Sequence, residues 1–194
     1  MIAAGHAGQA DLARPGLTDP DPAVQAAALG ALARTGQLTV DEIKRALAAG
    51  PVPVRRRAVE AAHSVRGRGS RSVLHDAVLA ALGDPDPLVV VGAAWFLAER
   101  RATAAVGPLS ALALSHDDVR CREAAVAALG AIGDRGGLPA VLAALEDKPT
   151  VRRRATVALA GFDDPRVDVA LRRCAADRDW QVRQAAGELL GDQA

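Results

Sequence analysis

The chain has 194 residues, half of them hydrophobic, yet only 2% are aromatic and none is tyrosine. A core must then be built from Ala, Leu and Val, which favours thin, closely spaced helices over a sheet sandwich. Its 24 basic and 23 acidic residues leave a formal net charge of +1, which excludes a global pull toward nucleic acid or an acidic membrane surface.

In chain order, residues 1–16 supply part of a unit, with Gln9–Arg14 expected as a short helix before Leu17. A capped helix then follows, and its pattern recurs. Aligned on the first apolar residue after each helix start, the anchors are Val24, Val54, Val89, Cys121, Val151 and Val182, at intervals of 30, 35, 32, 30 and 31 residues. A period in this range marks a stack of supersecondary units. Four residues after each anchor stands Ala28, Ala58, Ala93, Ala125, Ala155 or Ala186, and eight after stands Leu32, Ala62, Leu97, Leu129, Leu159 or Leu190. Spacing of i, i+4, i+8 lays all three on one helical stripe, and the central alanine lets a neighbour approach closely.

Asp and Pro open these helices, as in Asp84-Pro85-Asp86-Pro87, where Asp86 caps the first turn and Pro87 sits where no amide hydrogen is needed. Thr39 and Glu42 form a capping-box pattern for the second helix of the first full unit. Thr35-Gly36, Gly133–Gly137 and Asp163-Asp164-Pro165 break the chain between helices. Leu17, Leu47, Leu82 and Leu114, seven residues before an anchor, are expected to close the second helices. The segment Arg66–Ser72 holds the extra residues of the 35-residue unit and is expected to be the most mobile internal stretch. The whole reads as one all-α domain over residues 1–194, with first helices starting near 22, 53, 87, 119, 149 and 180 and atypical terminal units.

The Asp-Pro-Asp-Pro-x-Val pattern with Val182-Arg183-Gln184-Ala185-Ala186, and the run Cys121-Arg122-Glu123-Ala124-Ala125 continuing to Leu129-Gly130, resemble HEAT repeats of the short, PBS-lyase-like kind. The resemblance spans roughly residues 8 to 194. It implies a right-handed α-α superhelix of about six helical hairpins whose usual work is holding other macromolecules.

Enzymes of this fold, the deoxyhypusine hydroxylase type, carry His-Glu dipeptides on successive helices. Here His6, His63, His75 and His116 precede Ala7, Ser64, Asp76 and Asp117. His116 stands instead where other units place a turn aspartate. The bilin-lyase branch handles a large chromophore, for which this chain has few aromatics to stack. A non-enzyme without cofactor or metal is expected. Cys121 and Cys174 show no metal spacing and are expected to be buried free thiols. No apolar run approaches a membrane span, and Met1–His6 lacks the basic and apolar regions of a secretory leader, so a cytoplasmic location is expected.

Two features are candidates for binding. Arg55, Arg56, Arg57 and Arg152, Arg153, Arg154 occupy the same slots of units two and five, in or beside a first helical turn, where a cation opposes the helix dipole. Their compensation is either an acidic neighbour, as in pairings of Arg122 with Asp118 and Arg183 with Asp179, or a bound anion. The latter makes nucleic acid or another polyanion the alternative partner. The second candidate is Leu88, Val91 and Trp95, spaced i, i+3, i+7 on the face where other units hold polar residues. It is expected to meet another protein or a second copy, with Trp95 as anchor, unless the stack itself or the N-terminal segment covers it.

Overall fold

The computed structural model describes residues 12–65 and 70–191. Among them every regular element is helical. The chain divides into two compact units, Met1–Phe96 and Leu97–Ala194. The first holds α1 (Pro22–Thr35), α2 (Val40–Ala49), α3 (Val52–Ala61), α4 (Ser70–Ala80) and most of α5 (Pro87–Glu99). The second holds α6 (Val106–Ser115), α7 (Val119–Ile132), α8 (Leu138–Ala143), α9 (Pro149–Ala158), α10 (Pro165–Cys174) and α11 (Trp180–Gly191).

Within each unit odd helices stack on odd helices and even on even. In the first, α1 lies on α3 and α2 on α4; in the second, α7 lies on α9, α9 on α11 and α6 on α8. This is the repeated hairpin of an α-solenoid. The i, i+4, i+8 stripe explains it. Val54, Val89, Cys121, Val151 and Val182 are at most 3% exposed, and every alanine four residues on is buried. With alanine at the centre, two helix backbones can approach until glycine is required. A Cβ added at Gly130 of α7 would lie 2.6 Å from the Cβ of Ala158 on α9. Only at the two extremes does the stripe open: Val24 is 39% exposed and Leu190 half-buried.

Local chemistry sets the helix ends. Asp21, Asp86, Asp118, Asp164 and Asp179 each accept a hydrogen bond from a first-turn amide. The Thr39 hydroxyl accepts from the Glu42 amide while the Glu42 carboxylate accepts from the Thr39 amide, closing the capping box. Gly36 and Gly133 end α1 and α7 at φ of 68° and 70°, a left-handed turn that glycine adopts without strain.

One expectation needs amendment, and two others fall partly outside the described residues. Leu114 is 57% exposed rather than closing its helix, because Leu109 and Ala113 form the i, i+4 pair that faces inward and Leu114 stands about 100° round from Ala113. Of the helix expected over Gln9–Arg14, residues 12 and 13 are α-helical, Arg14–Thr18 continues as a 3-10 turn that contains Leu17, and residues 9–11 lie outside the described residues. Residues 66–69 of the segment expected to be mobile lie outside the described residues, and α4 is helical from Ser70.

Candidate functional site

The arginines placed one residue after an anchor form a ladder. Arg55 donates through Nε and Nη2 to both carboxylate oxygens of Asp84 (2.7 and 2.9 Å). Arg122 does the same to Asp147 (2.6 and 2.9 Å), and Arg152 to Asp177 (2.9 and 2.8 Å). Each acceptor belongs to the turn that opens the next repeat. The remaining nitrogen, Nη1, donates backward to the carbonyls of the arginine's own turn: Gly50 for Arg55, His116 and Asp117 for Arg122, Asp147 for Arg152. One planar guanidinium therefore ties two successive turns together, which a lysine could not do in this bidentate form.

The Asp-x-Asp sequence, Asp84-Pro85-Asp86 and Asp177-Arg178-Asp179, divides the labour. The second aspartate caps the helix; the first accepts the arginine and is steadied by the amide two residues on, as with Asp84 and Asp177. Burial works against the Asp84 carboxylate, but the bonds from Arg55 and the Asp86 amide outweigh it and hold its pKa below the ordinary value. Asp147 and Asp177 are lowered chiefly by their arginines. Arg55, Arg122 and Arg152 are raised by the same bonds.

The partners within a unit expected for these arginines are thus corrected. Arg122 reaches Asp147, not Asp118, whose carboxylate is taken by Arg120. Arg183 donates through Nη1 to the carbonyls of Asp177 and Arg178 and makes no contact with the Asp179 side chain. The reason is reach: the long arginine side chain carries the guanidinium past its own cap to the neighbouring turn. The recurrence of Asp four or five residues before the next anchor was the signal for this pairing.

Of the six arginines considered for an anion, four are already neutralised. Arg55 and Arg152 sit in rungs, Arg56 forks onto Asp86 (2.8 and 2.6 Å), and Arg57 pairs with Glu60. Arg153 and Arg154 form no ion pair with an acidic side chain among the described residues. Arg55, Arg56 and Arg57 belong to the first unit and Arg152, Arg153 and Arg154 to the second. Grooves of about 530 and 440 Å³ run beside the Arg55–Asp84 and Arg152–Asp177 rungs, and the second is lined also by Arg173, which pairs with Glu146, and by Arg178. A third cavity, about 300 Å³, contains Glu42, whose carboxylate is shared by Arg14 and Thr39.

The third repeat departs from this scheme. Val90 replaces the arginine and is 1% exposed. Leu88 and Trp95 are 43% and 49% exposed and Val91 is half-buried, so no described part of the chain covers this stripe. At the Trp95 slot the other first helices carry Gly30, Glu60, Ala127, Val157 and Glu188.

The histidines take separate places. His116 Nδ1 accepts from the Asp118 amide at 3.0 Å, doing the work of the turn aspartates. His63 and His75 meet the edge of buried Phe96 at centroid distances of 5.3 and 6.4 Å. Both cysteines are buried and neither is in a disulfide, and burial pushes the Cys174 thiol up. Among the described residues no group of three His, Cys, Asp or Glu could hold a metal ion, and no helix is long and apolar enough to cross a membrane.

The family described as HEAT repeats matches residues 75–160 and 108–191. Among solved structures, the complex of CpcE and CpcF of phycocyanin lyase from Nostoc sp. PCC7120 aligns at a TM-score of 0.63 and 24% identity, over 91% of this chain and 74% of that one. A designed armadillo repeat protein aligns at 0.65 and 18% identity, over 92% and 97%. Human deoxyhypusine hydroxylase aligns at 0.54 and 22% identity, over 78% and 61%. At these identities the likeness is one of fold. No curated protein matches the chain.

Proposed function

We propose, from the premise that the chain belongs to the HEAT-repeat family, that it is a non-catalytic protein-binding module whose contact face is Leu88, Val91 and Trp95 of α5. The observation that carries this reading is the exposure of Trp95 and Leu88 on a helix whose equivalent outward slots elsewhere hold residues such as Arg56, Glu60 and Glu123. An indole standing half in water on a preformed helix offers a large apolar area at small entropic cost. With the Arg56–Asp86 pair at the start of the same helix, the stripe has the make-up of an interface core beside a polar rim. The similar fold from Nostoc is itself a complex of two chains, CpcE and CpcF, which supports a role in assembly for this one.

The partner is another folded protein. The test replaces Trp95 by Asp and, as a control in the same slot of α9, Val157 by Asp, since Val157 is 48% exposed. Both variants are expected to keep the helical circular dichroism of the parent. Proteins recovered from the native host by the parent are expected to be lost, by about tenfold or more, in Trp95→Asp alone. Equal recovery by Trp95→Asp and the parent would remove the α5 face from consideration.

A further inference from the structure

The arginine–aspartate rung joins two positions: one residue after an anchor, and four or five residues before the next anchor. Between the first and second repeats both positions hold residues that cannot form it. Gln25 stands in place of the arginine, and Ala49 and Gly50 in place of the aspartate. Gln25 keeps half of the arginine's work. Its Nε2 donates to the Asp19 carbonyl at 2.6 Å, the backward bond that Nη1 makes in the completed rungs. Its Oε1 takes no partner among the described residues.

The cavity of about 300 Å³ lies at this substituted rung. It is the counterpart of the two grooves beside completed rungs, because the same positions line all three: Gln25, Arg55 and Arg152 one residue after an anchor, and Ala46, Ala81 and Cys174 eight residues before the next. Its depth differs. No anchor lines either groove, whereas here the wall includes the anchor Val54 and Leu29, 3% and 1% exposed, together with Leu17. Without a guanidinium and a carboxylate across the opening, the apolar interior is reached from outside.

Two charged residues line this cavity, Glu42 and Arg45. The Glu42 carboxylate is already held, one oxygen by Arg14 and the other by Thr39. Arg45 Nε donates to the Asp41 carbonyl at 3.3 Å, while its Nη1 and Nη2 meet no acceptor among the described residues. The equivalent arginine beside the Arg152–Asp177 rung, Arg173, is by contrast paired with Glu146 at 2.7 Å. An apolar floor below one uncommitted guanidinium calls for an anion with a hydrocarbon body.

We propose that this cavity binds a small organic acid, a monocarboxylate whose apolar body packs on Leu17, Leu29 and Val54 while its carboxylate meets Arg45. At about 30 Å³ for each non-hydrogen atom, the volume holds a molecule of about ten such atoms. Guanidinium and carboxylate match in bidentate form, so the ligand brings from solution the group that Ala49 and Gly50 lack. Most of the walls belong to helices that are already formed, so little ordering accompanies binding. The site is separate from the Leu88, Val91 and Trp95 stripe and does not depend on it.

Titration of the full chain with 4-methylpentanoate, followed by amide NMR, tests the proposal. The uncharged 4-methylpentanamide, with the same skeleton, is the control. The carboxylate is expected to give saturable shifts at Leu29, Arg45, Ala46 and Val54 below about 10 mM, the range open to a ligand of so few atoms. The amide is expected to bind about tenfold more weakly. Arg45→Gln is expected to weaken the carboxylate by about tenfold and leave the amide unchanged, a difference that a purely structural role for Arg45 would not produce. Gln25→Arg with Ala49→Asp installs the missing rung and is expected to abolish binding of both. Ala46→Leu, which fills the cavity with another good helix former, is expected to do the same and serves if the double variant does not fold. Trp95→Asp is expected to bind as the parent does. Absence of saturable shifts in the parent overturns the proposal. So does equal binding of acid and amide, or carboxylate binding that survives Arg45→Gln or Ala46→Leu undiminished.

Discussion

Helices α5 and α9 occupy the same place in the repeat, yet each fills the position after its anchor differently. In α9 that position is Arg152, 4% exposed, with its charge carried by Asp177 and the Asp147 carbonyl. In α5 it is Val90, 1% exposed and needing no partner at all. The position is interior in both, so the fold demands burial there and leaves the chemistry open. Charge at that position ties a helix to one particular neighbouring turn; hydrocarbon only fills the space. The difference continues on the outer surface, where α9 shows Thr150, Arg153 and Val157 and α5 shows Leu88, Val91 and Trp95. One helix uses its specificity for internal cohesion. The other leaves Leu88 and Trp95 at the surface.

The comparison breaks first at the rung. Arg152→Ala leaves the Asp177 carboxylate half-buried without its donor and is expected to cost about 3 kcal/mol in chemical denaturation, the low end for a buried pair because Asp177 keeps some water contact. Replacing both partners, Arg152→Met with Asp177→His, imitates the α5 solution and is expected to recover more than half of that loss. A double mutant no more stable than Arg152→Ala would mean that the rung is not a coupled pair.

A smaller effect is expected where two helices touch. Gly130→Ala forces a methyl group to within 2.6 Å of Ala158, and overpacking of this kind costs about 1–3 kcal/mol despite the better helix propensity of alanine. The companion change Ala158→Gly removes the opposing Cβ and should return part of the loss. Full stability in Gly130→Ala would show that α7 and α9 can separate without penalty.

The smallest expected effect is the acid dependence. Asp84, Asp147 and Asp177 have folded-state pKa values below those of the unfolded chain. Their contribution is therefore complete above about pH 4, the unfolded value, and is lost as pH falls through the lower folded values. Asp118 and Asp164, lowered to about 2 by the bonds of Arg120 and Arg166, follow the same sign, but their arginine partners are exposed and the pairs are screened. A variant with one rung removed, Arg122→Met with Asp147→Asn, should lose less stability than the parent as the pH falls from about 5 to about 2. An equal or steeper loss would assign the acid sensitivity to other carboxylates.

Much of the architecture was legible in the residues themselves. The anchors, the alanines four residues on and the caps are local or periodic signals, and a helix of 3.6 residues per turn converts them directly into one buried stripe. The Thr39–Glu42 box spans only three residues, and the turn role of His116 followed from its place in the repeat. The departure at Leu88, Val91 and Trp95 was equally plain, because it needs only comparison of one unit with another. What the residues did not disclose was which partner each arginine takes. Asp118 lies four residues from Arg122 along the chain and Asp147 lies twenty-five away, yet the distant carboxylate wins. Proximity in sequence favours the near one; only the stacking of one hairpin on the next brings the far one within a guanidinium's reach. The exposure of Trp95 depends in the same way on where neighbouring helices lie. Periodicity could determine which face of each helix is buried, since that is a property of one helix, whereas pairing between turns is a property of two and was decided by the tertiary structure.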